Sequence, residues 1–317
     1  MIESERVLKF LFTFALAVVS GNAVVHAGEN GVTTGQVHGV EENKPALMSR
    51  DLPPAFTTNG AVIQRGRQGL EYAVCQNNNI RLAFQFQQFA WKEYADNGGQ
   101  LLKESGPLYG LHMAGEGYGR SRVAPGGTFK MNIFGGRVDY NGQTMDGLPF
   151  KTKTDYLGAE LNGNLALRAM PADDFYVKVF AGPAIRFWRR DLNGRSGVSG
   201  YKEDWFVFDG RAGAGLDYFL SADLKLFAEG GCKIPFTSRE EVDWSRFGAG
   251  RISLEPDQTV SPFAELGLAW KFLFVSGFYD SLRFDKSDVE RKGGYYVYQP
   301  ESRADIWGIN AGIYARF

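Results

Sequence analysis

From Ile80 onward, apolar and polar residues alternate with a period of two. The clearest run is Leu157 to Ala169. Leu157, Ala159, Leu161, Leu165, Leu167 and Ala169 share one face, and Glu160, Asn162, Asn164 and Arg168 share the other. Successive strand residues point to opposite sides, so this is a strand with one apolar and one polar face rather than a helix. The next segment sets Phe175, Val177, Val179, Ala181, Ile185 and Phe187 against Tyr176, Lys178 and Arg186. From Phe206, the set Phe208, Ala212, Ala214, Leu216 and Tyr218 opposes Asp209, Arg211 and Asp217. From Leu224, the set Leu224, Leu226, Ala228 and Ile234 opposes Lys225, Glu229 and Lys233.

Weaker alternation marks Ile80–Tyr94, Leu108–Gly119, Phe129–Tyr140, Val260–Trp270, Phe272–Phe284 and Asp305–Phe317. The pattern predicts about ten strands. Parity slips at Gln87–Gln88 and Gly135–Gly136, where β-bulges are expected. Connections alternate in length. Tight links at Met170–Asp174, Leu220–Asp223 and around Lys271 alternate with polar links at Ala95–Pro107, Asn141–Lys153, Arg189–Asp204, Thr237–Gln258 and Asp285–Arg303. An up-and-down antiparallel barrel with short turns at one end and long loops at the other has this layout.

Alternation alone leaves open which face points inward. A soluble barrel buries its apolar face, whereas a membrane barrel turns it outward. The polar faces carry both signs of charge, which suits pairing inside a closed lumen. Aromatics at Trp91, Phe187, Trp188, Tyr218, Phe219, Trp270 and Trp307 fall near strand ends and suit girdles at the membrane surfaces. The alternative is a secreted soluble β-protein. The last strand carries Trp307, Ile309, Ala311, Ile313, Ala315 and Phe317 on its apolar face. An amphipathic final strand closing on Phe resembles the C-terminal signal of bacterial outer-membrane β-barrel proteins. That resemblance implies an all-β transmembrane barrel over residues 80–317. It also implies that the barrel-assembly machinery reads the closing strand, chiefly Trp307, Ile309, Ile313 and Phe317, and that outer-membrane lipid surrounds the wall.

 The four residues Trp307, Ile309, Ile313 and Phe317 are the ones carried over from that signal.

Composition narrows the classes. The 317 residues carry a formal net charge of −1, which argues against a dedicated nucleic-acid binder. No apolar run after the N-terminus reaches the roughly 20 residues of a membrane helix. At the N-terminus, Arg6 and Lys9 precede an apolar stretch from Phe10 to Val19 and then Val25-His26-Ala27. This is the layout of a signal peptide over residues 1–27, implying export. Together with the resemblance to outer-membrane barrels, it implies passage through the periplasm to the outer membrane of a Gram-negative cell envelope. Residues 28–79 are polar and turn-rich and read as a periplasmic leader. If a stretch around Ala61–Cys75 adds a hairpin, the strand count becomes twelve. Cys75 and Cys232 are expected as unpaired thiols, since nothing specifies a disulfide framework.

In the membrane arrangement the polar faces line the lumen, with His112, Glu116, Glu160, Arg168, Lys178, Arg186, Asp209, Arg211, Lys225, Glu229 and Glu265 as lining candidates. About ten strands enclose little space, so these charges are expected to interlock as a polar core. Three functions compete. The first is a structural or surface-interaction barrel that holds an extracellular ligand at its long loops, where Tyr295, Tyr296, Tyr298, Trp244 and Phe247 lie. The second is a narrow, porin-like passage for small polar or charged solutes. The third is a barrel hydrolase acting on lipid or peptide. It needs a base, and His112 and Glu116 lie about 13 Å apart on one strand face, too far for a hydrogen bond. No cofactor or metal site is expected: there is no Cys/His cluster, and Asp285–Asp288 lacks the glycine and spacing of a calcium loop.

Overall fold

A computed structural model describes residues 78–144, 147–195, 197–248, 250–292 and 294–317. The expected signal peptide, the leader up to residue 77 and Cys75 lie outside the described residues.

Seven long strands run in succession: β1 (Asn79–Tyr94), β2 (Gln100–Tyr118), β3 (Val123–Gln143), β4 (Pro149–Ala172), β5 (Phe175–Leu192), β6 (Lys202–Ser221) and β7 (Leu224–Trp244). A short β8 (Gly250–Leu254) follows, then β9 (Ser261–Trp270) and β10 (Leu273–Phe284). A small hairpin of β11 (Glu290–Lys292) and β12 (Tyr295–Val297) precedes the last strand, β13 (Glu301–Arg316). Each long strand pairs antiparallel with its neighbour, and β13 pairs with β1 from Asn79↔Arg316 to Tyr94↔Glu301. The result is a closed antiparallel barrel of ten strands, with β8 as an additional strand beside the upper part of β7. Closure of β13 on β1 leaves no place between them for the two further strands of the twelve-stranded alternative.

Closure pairs the strand edges through the apolar band, which hydrocarbon requires of a spanning sheet. The side chains then divide by parity. On β4, Leu157, Leu165 and Leu167 are exposed on the outside, while Glu160, Asn162, Asn164 and Arg168 are buried inside. Leu161 shares the outer parity but is 7% exposed, flanked in its ladders by Met131 and Ile185. An apolar exterior around a charged interior is the inverse of a soluble barrel, and the architecture is that of a transmembrane β-barrel.

The inversion does not continue to the long-loop end. Past Leu157 the outer face of β4 becomes Asp155, Lys153 and Lys151, while the inner face becomes Tyr156 and Thr154. On β5 the outer face passes from Val179 and Phe187 to Arg189 and Asp191, and the inner face from Lys178 and Arg186 to Trp188 and Leu192. On β1 the outer face passes from Leu82, Phe84 and Phe86 to Gln88 and Lys92, and the inner face from Arg81 and Gln85 to Phe89 and Trp91. Outer charges at this level form cross-strand pairs, Arg137–Asp155 at 2.6 Å and Arg189–Asp204 at 2.7 Å, and Arg239 pairs along β7 with Glu241 at 2.8 Å. The wall is therefore built for lipid below this level and for water above it. From Leu157 to Ala169 the apolar band is roughly 40 Å along the strand at ~3.3 Å per residue. At a tilt of ~40° this is roughly 30 Å along the axis, close to the height of a hydrocarbon layer.

This crossover corrects two expectations. Gln87–Gln88 holds one register in both ladders, and Gly135–Gly136 holds one register against β4, so neither is a bulge. The apparent parity slip is the change of medium: apolar residues move from the outer to the inner face as the strand leaves the lipid. The register shifts fall elsewhere, notably at Phe208/Asp209 opposite Pro235–Thr237. Trp91, Trp188 and Phe219 are buried in the interior and are not girdle residues, whereas Phe187, Tyr218, Trp270 and Trp307 lie on the outer face. The polar links also shrink. Residues 100–107, 149–153, 202–204 and 237–244 belong to strands that extend above the apolar band.

Candidate functional site

Three features occupy the barrel: a charged core inside the apolar band, an aromatic plug above it, and a cleft on the outer wall of the long-loop end.

The charged core has two layers. Nearest the short turns, the Lys178 ammonium lies 3.0 Å from Glu116 and 3.3 Å from Glu229, and Lys225 lies 2.6 Å from Asp217. Asn79 Nδ2 donates to Glu116 at 2.9 Å, and the Arg168 guanidinium stacks over Tyr118 and Tyr176. Lys130 bridges Glu229 and Glu265, and Arg81 joins Glu265 at 3.8 Å while resting on the Phe227 ring. In the second layer, Glu160 receives Arg186 and, at 2.7 Å, Arg211. Asp280 takes Arg186 and, at 2.6 Å, Lys233. Asp209 is buried beside this layer, and its Oδ1 makes no hydrogen bond. Each ion here is taken out of water, and the shared partners offset that desolvation cost.

Between the layers lies a cavity of about 60 Å³, lined by Gln85, His112, Asn132, Glu265 and Asn310 among others. That is room for a few waters. His112 Nδ1 donates to Asn132 Oδ1 at 2.7 Å. His112 and Glu116 both face the interior of β2 but join different partners and do not meet.

The plug is aromatic. Trp91, Trp188, Trp205 and Phe284 pack together, with the Trp188 and Trp205 rings stacked at 5.0 Å and 9°. Phe89, Leu108, Phe134, Tyr156 and Ile306 fill the space between it and the charged core. Within the plug sits one guanidinium among carboxyls. Arg190 donates to both oxygens of Glu203 at 2.7 Å and to Glu104 at 2.9–3.1 Å, and it lies 3.5 Å from Glu93. Thr154 and Tyr156 donate to Glu104, Trp91 Nε1 donates to Glu93 at 2.9 Å, and Trp205 Nε1 donates to Glu203 at 3.2 Å. Glu240 is 1% exposed and its Oε2 has no hydrogen-bond partner. Burial pushes the Glu93 carboxyl up to about 7 against the pull of Arg190. Burial first, and then the Glu203 and Glu93 carboxylates, hold Glu240 well above the usual range.

None of these plug carboxyls stands out from the alternation of the sequence. The signal available was a Trp and a Glu two residues apart, hence on one strand face: Trp91 with Glu93, and Glu203 with Trp205.

On the outer wall, β8 replaces β9 as the partner of β7 above the apolar band. A cleft of about 850 Å³ opens there, lined by Phe236, Ser253, Gln258, Lys286 and Arg291 among others. The β11–β12 hairpin stands beside it with Tyr295 and Tyr296 exposed, as is Tyr298 just beyond. Arg291 rests on Tyr296, Lys286 on Tyr298, and Trp244 meets Tyr295 edge-on at 5.8 Å. Of the cysteines, Cys232 is a free thiol. Among the described residues no group of His, Cys, Asp and Glu is placed to hold a metal ion.

No family model and no curated protein matches the chain. Solved structures do match. The outer membrane protease OmpT of Escherichia coli is 11% identical, with a TM-score of 0.46, over 76% of this chain and 97% of that one. The toluene transporter TbuX of Ralstonia pickettii is 11% identical, with a TM-score of 0.37, over 76% of this chain and 90% of that one. The attachment invasion locus protein Ail of Yersinia pestis is 9% identical, with a TM-score of 0.30, over 75% of this chain and 99% of that one. These proteins are bacterial outer-membrane β-barrels, and they differ from one another in what they do.

Proposed function

We propose that this is an outer-membrane protein, exported through the periplasm, that works as a surface-interaction barrel with a closed lumen. The observation that carries the reading is the filled interior: two layers of shared ion pairs capped by an aromatic plug. A solute passage would need a continuous polar opening, and the plug interrupts it with Trp91, Trp188 and Trp205. The hydrolase reading finds its histidine sealed in the interior and bound to Asn132 rather than to a carboxylate.

In this reading outer-membrane lipid contacts the apolar band, and the closing strand with Trp307, Ile309, Ile313 and Phe317 engages the assembly machinery. The ligand-facing element is the cleft with its Tyr-rich hairpin, since exposed Tyr and Arg supply most of the energy of many contact surfaces. The test has two arms. Reconstituted in planar bilayers, the full chain should carry no steady conductance, and stepwise opening would contradict the closed lumen. Cells displaying the chain should lose adhesion to mucin-coated or collagen-coated surfaces, or to one another, when Glu290–Val297 is replaced by a short Gly-Ser turn. Unchanged adhesion on all of these would remove the hairpin from the function.

A further inference from the structure

We propose that the aromatic plug is a proton-dependent latch: it is packed shut while Glu93 and Glu240 hold protons, and it loosens when those protons leave. The geometry is a deficit of cations. Four carboxyls, from Glu93 on β1, Glu104 on β2, Glu203 on β6 and Glu240 on β7, face one guanidinium, Arg190 on β5. Glu104 is satisfied three times over, by Arg190, Thr154 and Tyr156, and Glu203 holds both its Arg190 bonds and the Trp205 indole. Glu93 has Trp91 and only a 3.5 Å approach to Arg190. Glu240 Oε2 has nothing.

Among the described residues, no second cation pairs with these carboxyls. Tyr140 of β3, Tyr156 of β4 and Tyr201 are neutral neighbours whose hydroxyls burial holds in the protonated form. β8 places Leu254 opposite Glu240, and β10 and β13 bring Phe284 and Ala304. With all four carboxyls ionised, three negative charges would stand uncompensated in a site from which water is excluded, an arrangement that proteins avoid by keeping such groups protonated. Both under-partnered carboxyls lie at the level where the outer wall carries Lys92, Arg189 and Glu241, so the latch sits above the apolar band and within reach of external pH.

The carboxyls are wired to reporters, because Trp91 and Trp205 donate to Glu93 and Glu203, and Trp205 stacks on Trp188. The experiment follows the exciton circular-dichroism signal of the full chain folded in lipid bilayers from about pH 5 to about pH 9, with limited proteolysis in parallel. The wild type should lose the stacked-Trp signal as pH rises, and cleavage in the upper barrel should rise at least about tenfold. Glu93→Gln with Glu240→Gln, which keeps the hydrogen bonds and removes the titration, should hold the signal flat. If that pair does not fold, Glu240→Gln alone should move the midpoint to higher or lower pH. A flat wild-type profile, or a transition unchanged by both substitutions, would overturn the latch.

Discussion

Arg189 and Arg190 are adjacent on β5 and live in opposite media. Arg189 reaches outward to Asp204 at 2.7 Å, and Arg190 turns into the plug and grips Glu203 at the same distance. Three residues earlier the adjacent pair differs in character: Phe187 is on the outer wall and Arg186 is buried in the charged core. The strand keeps its alternation throughout. What changes between Phe187 and Arg189 is the solvent outside, so this step marks where the wall leaves the hydrocarbon layer.

A charge placed on the lipid side of that step should be costly. Leu165 is 81% exposed in the middle of the apolar band. Leu165→Arg should destabilise the barrel by about 2–4 kcal/mol, the cost of a cation near mid-bilayer. Lys153→Leu, above the band, should change stability by less than about 1 kcal/mol. Reversible unfolding in urea, with the protein in bilayers, compares the two.

Inside the band the effect should come from stranding a partner. Glu160 is the ion-pair partner of Arg211 and shares Arg186 with Asp280. Glu160→Gln should cost about 3 kcal/mol because it leaves a buried guanidinium uncompensated, and adding Arg211→Met should recover part of that loss. A double-mutant cycle on the unfolding free energies reads the recovery directly.

The sequence carried the wall better than the contents. Leu157–Ala169 was legible because one face meets hydrocarbon and the other meets charge, which is the strongest contrast a strand can show. Around Phe86–Phe89 the same alternation misled, because parity says which residues share a face and not which medium that face meets. The pairing of Arg186 with Asp280 was out of reach for another reason: the two lie 94 residues apart and meet only once β10 has closed against β13. Glu104, Glu203 and Glu240 fall in segments that read as polar links until the strands are known to extend above the lipid, and Glu93 lies at the end of the predicted strand Ile80–Tyr94, where a single carboxyl looks like a solvated terminus.

The closing seam depends on two small residues. A Cβ on Gly308 would sit 2.2 Å from the Phe86 carbonyl oxygen, and one on Gly312 would sit 2.1 Å from that of Leu82. Both contacts are with backbone of β1, which cannot swing aside. Gly308→Val or Gly312→Val should lower the folded fraction several-fold. Heat-modifiable migration on gels, in which the folded barrel runs ahead of the unfolded chain, measures it.

Stability should also follow pH in a defined direction. The folded-state carboxyl of Glu93 is held at about 7 by burial, above its usual 4.5. Its contribution is fully present below about pH 4.5 and is lost as pH rises through about 7. The unfolding midpoint of the detergent-solubilised barrel should therefore fall across that window, and the fall should shrink in Glu93→Gln.

The central claim, that the barrel is lipid-clad below the Phe187–Arg189 step and water-clad above it, has a direct measurement. With Cys75 and Cys232 replaced by Ser, single nitroxide labels at Leu165, Leu157 and Lys153 in bilayers report collisions with oxygen and with a water-soluble nickel complex. The account predicts oxygen-dominated relaxation at 165, a value near the crossover at 157, and nickel-dominated relaxation at 153. Nickel-dominated relaxation at all three positions would contradict it.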